Sequence, residues 1–337
     1  MKAAVIGASG YLGAELLRLL AGHPEIEVAL AQADSSAGRR PGELYAGLGA
    51  GYPDLVLDPL EPSAAEGCDV AFIAVPSGQS QSIVASLVAK VGVVVDLGAD
   101  FRLKDPASYE QWYHFEHRYP ELLAEAVFGL PELFRSSIEG ARLIASPGCY
   151  VTAASLALAP LVRAGVIESS GIIVDAASGT SGAGKEPRPD LLYAKVNESF
   201  SAYGLLSHRH TPEIEQTIGA QVLFTPHLAP MTRGILATCY ARPAGSTSTE
   251  ALLGALAEAY AGEPFVHVGE EPPSTRDTYG SNVVRLSARY DGRTNTVLLL
   301  SALDNLTKGG SGQALQSTNL ALGLEETMGL PRVALLP

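Results

Sequence analysis

Two short stretches carry side chains able to make and break bonds. The first, "IASPGCYVTAA", sets Cys149 after a Ser-Pro-Gly turn and before a long run of small apolar residues. A helix starting just after the cysteine would favour its thiolate through the dipole and the free N–H groups. A thiolate is a strong nucleophile for acyl transfer. The plainer reading is a buried cysteine acting as a small hydrophobe. The second stretch, "SHRHTPEIEQ", places His208 and His210 on either side of Arg209, directly before a capping signal, Thr211-Pro212-Glu213. Two imidazoles and a guanidinium at a helix entrance suit general acid/base work and anion binding. A solvated polar loop is the alternative. Neither C-x-x-C nor H-E-x-x-H accompanies the histidines, so no metal site is expected.

Two further stretches read as substrate contacts. In "DLGADFRL", Asp96, Asp100 and Arg102 leave the end of a strand, and Arg102 suits a phosphate or carboxylate as well as it suits a surface ion pair. "SGTSGAGKE" contains the G-x-x-x-x-G-K spacing of a triphosphate loop over residues 179–185. Glu186 stands where that loop needs Ser or Thr, and Pro187 and Pro189 break the helix that should follow. The segment from Ser178 and Gly179 therefore reads as a Gly/Ser loop lining a substrate. Cys68 and Cys239 lie at the edge of, or within, apolar strands and read as structural.

A redox partner is written near the start. "GASGYLG" places Gly7, Gly10 and Gly13 between a strand and a helix, with Ser9 and Tyr11 in the turn. Glycines there allow a tight turn and close approach of a pyrophosphate to the helix N-terminus. The second strand ends "QADSSAGRR". Asp34 suits a ribose 2′-hydroxyl, whereas Ser35, Ser36, Arg39 and Arg40 suit a 2′-phosphate, and the balance favours NADP. Pro76 and Ser77, after the strand "DVAFIAV", are taken as further cofactor contacts.

These residues need a scaffold. Up to about residue 150, strand-like runs alternate with helical segments, which predicts a Rossmann-type, doubly wound parallel sheet in an α/β domain. Beyond it, longer alternating strands with few helices predict an α+β domain with a mixed sheet. The expected division is 1–148 for dinucleotide binding, completed by a C-terminal helix over 312–337, and 149–311 for catalysis and oligomerisation.

Composition narrows the classes. A chain of 337 residues is long for one core and suggests two domains. A net charge of −13 disfavours nucleic acid. Three cysteines make no disulfide framework, and no apolar run is long enough to span a bilayer. No signal-peptide pattern is present, so a cytoplasmic location is expected. A dinucleotide turn, a helix-capped cysteine and a histidine from a second domain suit one reaction class. A cysteine acyl-enzyme is formed from an acyl phosphate and reduced, or formed by oxidising an aldehyde.

The set "GASGYLGAELLRLL", "DLGADFRL", "GLPEL", "SPGCYVTAA", "SGTSGAGK", "HRHTPEIEQ", "FTPHLAPMTRGIL" and "NLTKGGSGQALQSTNLALG" resembles the N-acetyl-gamma-glutamyl-phosphate reductase family, in order and over nearly the whole chain. The aspartate-semialdehyde dehydrogenases share the architecture without this motif set. The resemblance implies NADPH as cofactor and N-acetyl-glutamyl 5-phosphate as the small-molecule acyl-phosphate substrate, in arginine biosynthesis. It implies Cys149 as nucleophile, His210 as acid/base and His208 as neighbouring substrate contact, in a homodimer or homotetramer joined through the second domain's sheet. A sister branch reducing a carrier-linked amino-adipyl phosphate is the nearest alternative, and −13 disfavours an acidic carrier. A non-catalytic dinucleotide-binding sensor is the other.

Overall fold

A computed structural model of the chain describes residues 1–336. They form two compact units, Met1–Pro147 with Gly310–Leu330, and Gly148–Gly309 with the segment from Pro331 onward.

The first unit is built on β1 (Lys2–Ile6), β2 (Glu27–Ala33), β3 (Asp58–Pro59), β4 (Val70–Ile73), β5 (Val93–Asp96), β6 (Val127–Phe128) and β7 (Leu143–Ala145). Their order is β3-β2-β1-β4-β5-β7-β6, and every pair is parallel. The strands β4 and β5 read as unbroken apolar runs, VAFI and VVV, because helices cover both faces of a parallel sheet. Strand order reverses between β1 and β4, and in such sheets that switch point is where ligands bind. The turn after β1 leads into α1 (Tyr11–Leu20), and the turn after β4 leads into α2 (Ser80–Leu87). Both turns carry cofactor candidates.

The second unit holds β8 (Ile172–Gly179), β9 (Ser201–Ala202), β10 (Val222–Ala229), β11 (Ile235–Ala241), β12 (Val266–Val268), β13 (Val284–Asp291) and β14 (Thr296–Leu303). Their order is β12-β13-β14-β11-β8-β10-β9, and the sheet is mixed, with β10 parallel to β8 and β11 antiparallel to it. One face packs on α3 (Cys149–Arg163), which also touches α4 (His210–Ile218) and α5 (Thr249–Ala259). The helix α3 is small-residue rich, and eleven of its fifteen residues are buried. Pro160 inside it cannot donate to the Leu156 carbonyl, and the Tyr260 hydroxyl donates there instead, at 2.6 Å.

The tail departs from expectation. The sequence predicts a single helix over 312–337, of which position 337 lies outside the described residues, but α6 spans Gly312–Ala321 only. Gly323 and Gly329 then turn the chain with φ of +70° and +71°. From Pro331 the chain joins the second unit, where Asn282 N donates to Pro331 O and Leu335 N to Tyr279 O. Glycines near a helix end stop it more firmly than the apolar periodicity beyond them can extend it. What α6 retains is a buried polar helix against β5, where Gln313 donates to Gly129 O and Asn319 to Met328 O.

Candidate active site

In the second unit Cys149 is itself the first residue of α3, with Gly148 as N-cap, one position earlier than a helix starting after the cysteine. No side chain caps this helix start. The thiol therefore sits where backbone N–H groups and the helix dipole favour a negative charge. Gly148 has φ −68° and ψ 148°, a conformation open to any residue. Glycine is required there for space: a Cβ would lie 2.3 Å from His210 Nε2. Gly309 is pressed on the other side, where a Cβ would lie 2.8 Å from the Cβ of Cys149.

The helix α4 begins at His210, with Arg209 as N-cap and no side-chain cap. The Thr-Pro-Glu capping signal is therefore not used as such. The His210 N–H donates to His208 Nδ1 at 3.1 Å, so that nitrogen is an acceptor and the proton of neutral His208 sits on Nε2. Burial, reinforced by the Arg209 charge, pushes His208 down to about 4. His208 is thus a neutral imidazole near pH 7 and stores no proton there. Its ring meets Tyr150, Tyr203 and Phe224 edge to face, with centroids 5.7, 5.4 and 5.3 Å away. His210 meets Tyr150 at 5.9 Å.

Tyr150, next to the cysteine, donates its hydroxyl to His227 O at 2.9 Å and accepts from the Tyr203 hydroxyl at 3.2 Å. Burial raises both phenols, Tyr203 to about 12, and the neighbouring Cys149 raises them further. They stay protonated and act as a rigid aromatic frame. Ser178 is buried, and its hydroxyl donates to Gly179 O. A Cβ on Gly179 would stand 2.6 Å from Thr232 O. The chain after Gly179 makes a short 3₁₀ turn over Thr180–Ala183 rather than a helix, so the G-x-x-x-x-G-K spacing has no triphosphate-loop geometry.

In the first unit, Gly7 turns with φ +90°, where a Cβ would meet Ala74 O at 2.3 Å. Gly13 is equally tight, 2.3 Å from Gly7 O. Gly10 caps α1 with no side chain, leaving the helix start to backbone donors, and Tyr45 OH holds Ser9 O at 2.9 Å. This cradle fits a pyrophosphate. At the end of β2, Ser35 is exposed and Ser36 buried. Arg39 donates to Glu43 O and pairs with its carboxylate at 3.7 Å. Pro76 and Ser77 precede a turn clamped by Asp100, whose carboxylate accepts from Gly78 N, Ser80 N and Gln81 N. Arg102 is buried and donates to Leu97 O, so it is not the surface ion pair that was one of its two readings.

Chemically, the second unit brings a thiol at a helix start together with an imidazole and two phenols, and the first offers a glycine turn at a helix N-terminus that suits a pyrophosphate. Residues 2–141 match the semialdehyde dehydrogenase NAD binding domain, and residues 149–305 the semialdehyde dehydrogenase dimerisation domain. An N-acetyl-gamma-glutamyl-phosphate reductase of Symbiobacterium thermophilum is 49% identical over 98% of this chain and 97% of its own. One of Moorella thermoacetica is 46% identical over the whole of both chains. The chain belongs to the N-acetyl-gamma-glutamyl-phosphate reductase family. Its fold is that of the semialdehyde dehydrogenases: aspartate semialdehyde dehydrogenase II of Vibrio cholerae superposes with a TM-score of 0.70 at 17% identity, covering 96% of this chain and 98% of that one. The cofactor of such an enzyme is a nicotinamide dinucleotide.

Among the described residues no cluster of three or more His, Cys, Asp or Glu has a metal-holding arrangement, and no helix is long and apolar enough to cross a membrane. Tyr150 and Tyr203 carry no signal in the sequence for their place beside the histidines, and Glu213, which reads there as a capping residue, accepts the Gly148 N–H instead. Tyr150 was inside a quoted motif, but nothing in spacing says that its hydroxyl reaches His227 O.

Asp96 gives a stability prediction for the first unit. Its carboxyl is fully buried, accepting from Gly98 N and Ser80 Oγ. Burial and the Asp100 charge push it up to about 7. The unfolded carboxyl titrates near 4, so the folded chain binds the extra proton between about pH 4 and 7. That contribution is present below about pH 4 and lost as pH rises through about 7. The unfolding free energy of the parent chain, compared with Asp96→Asn in urea melts, should fall with rising pH by at most about 1.4 kcal/mol per unit across that window. A pH-independent difference between the two would contradict it.

Proposed function

We propose that this chain reduces N-acetyl-L-glutamyl 5-phosphate to N-acetyl-L-glutamate 5-semialdehyde and phosphate, with NADPH as reductant, in arginine biosynthesis. The observation that carries this reading is Cys149 at the first position of α3 with the His210 ring against Gly148, in a chain whose full-length relatives bear that reductase name.

His210 takes the Cys149 thiol proton, and the thiolate attacks the acyl carbon. The C–O bond to phosphate breaks, and His210 returns the proton to the departing phosphate. Backbone N–H groups at the start of α3 face the tetrahedral oxyanion. The nicotinamide, when bound, supplies a hydride to the acyl carbon of the thioester. The resulting oxyanion re-forms the carbonyl and expels the Cys149 thiolate, releasing the semialdehyde. His208, neutral near pH 7, orients His210 through the 3.1 Å bond and lines the substrate side with Arg209, Ser178 and Gly179. Arg102 is the remaining candidate for substrate recognition.

Gly7, Ser9, Gly10, Tyr11 and Gly13 cradle the dinucleotide, with Pro76 and Ser77 on the facing turn. Ser35, Ser36 and Arg39 take the 2′-phosphate, and Arg39 exchanges Glu43 for it. The protein works in the cytoplasm as a homo-oligomer. Leu223, Ile173 and Tyr240 lie in register across β10, β8 and β11 and are exposed, an apolar row suited to a second copy.

The test is phosphate-dependent oxidation of N-acetyl-glutamate semialdehyde, followed by absorbance of the reduced cofactor, with NADP and NAD in parallel. Turnover that requires phosphate and prefers NADP is expected. Turnover without phosphate would remove the acyl-phosphate step.

A further inference from the structure

The capping signal at the head of α4 contains a carboxylate that does something else. Glu213 is completely buried, and its Oε2 accepts the N–H of Gly148 at 3.1 Å. It lies three residues after His210, on the same face of α4. The His210 ring is itself packed where a Gly148 Cβ would stand. One glycine is therefore gripped twice by one helix turn, through its N–H by Glu213 and across its Cα by His210.

We propose that Glu213 is a positioning residue: its carboxylate ties the turn before Cys149 to the first turn of α4, so that the nucleophile and the imidazole keep one fixed spacing. This rests on the acyl-enzyme reading above. Three features support it. A carboxylate is costly to bury and is tolerated where it accepts backbone N–H bonds. The helix start it would ordinarily cap has no side-chain cap, so Glu213 serves the neighbouring element instead. Side-chain length also matters: losing the Glu213 bond lets the turn before Cys149 drift within the α3–α4 packing, and a shift near 1 Å is enough to cost rate. A corollary concerns the oxyanion. With Gly148 N–H given to Glu213, the donors for the tetrahedral intermediate begin at Cys149 N.

The experiment compares Glu213→Gln, Glu213→Ala and Glu213→Asp with the parent, measuring kcat, KM and the rate of Cys149 alkylation by iodoacetamide from pH 5 to 9. Dinucleotide binding and thermal melting report whether each variant is folded. Alanine removes the acceptor and aspartate withdraws it, and both should lower kcat roughly ten- to a hundredfold with KM little changed. Both should also slow alkylation near pH 7, because the imidazole no longer meets the thiol. Glutamine keeps an acceptor oxygen at the same reach and should restore both within about threefold. Folded Ala protein with parental kcat and parental alkylation overturns the proposal, and so does a Gln variant as slow as Ala. Cys149→Ser is the control: if that variant turns over, the acyl-enzyme reading has failed, whatever the Glu213 variants do.

Discussion

Replacing Cys149 by serine is expected to abolish turnover while dinucleotide binding is retained. The two side chains have nearly the same shape, so the start of α3 keeps its geometry. What changes is acidity: a helix N-terminus favours a thiolate over a thiol, whereas a serine hydroxyl stays protonated at neutral pH. The acyl-transfer step then loses its nucleophile. The glycine turn at Gly7, Gly10 and Gly13, proposed to hold the dinucleotide, belongs to the first unit and contains neither Cys149 nor His210. Initial rates in the semialdehyde assay, with NADPH fluorescence titration on the same protein, separate the two properties. Full activity in Cys149→Ser would remove the proposed mechanism. Thiol labelling gives a second view: Cys149 should react far faster than Cys68 or Cys239, because burial raises both of the latter, Cys239 to about 12.

His210→Asn is expected to cut kcat by roughly a hundredfold or more, the scale of losing a general acid/base. His208→Asn should cost less, because His208 is held neutral, with Nδ1 already accepting the His210 N–H. The same site can be broken from the other side. In Gly148→Ala a methyl group arrives 2.3 Å from His210 Nε2, so the ring must leave its place. The backbone conformation at 148 suits alanine, and the loss should therefore appear in kcat rather than in folding. The double variant Gly148→Ala/His210→Asn should be little slower than His210→Asn alone, since both remove one function. If the effects multiply, the glycine acts by another route. If His208→Asn is the slower of the two histidine variants, their roles are reversed.

Local patterns were legible without coordinates wherever the signal is local. The alternation of strands and helices, the glycine spacing before α1, and a cysteine after Ser-Pro-Gly each follow from backbone sterics and helix-end chemistry within a dozen residues. So did rejection of the triphosphate loop, since Pro187 and Pro189 forbid the helix it needs. The sequence also marked the two catalytic candidates, Cys149 and His210, and the family through its ordered motifs.

Only the tertiary structure decided the rest, because the partners lie far apart in the chain. Glu213 looked like a capping residue, and sixty-five positions separate it from the Gly148 N–H it binds. Gly148 looked like a turn glycine, yet its φ and ψ are ordinary and the His210 ring is what excludes a side chain. Burial holds His208 neutral and its Nδ1 accepts the His210 N–H, neither of which a dipeptide spacing records. The tail beyond Leu330 went to the second unit because backbone hydrogen bonds with Tyr279 and Asn282 hold it there. Sequence alone determined which groups could do the chemistry; folding decided which of them meet, since proximity is set by packing between elements that local propensity cannot see.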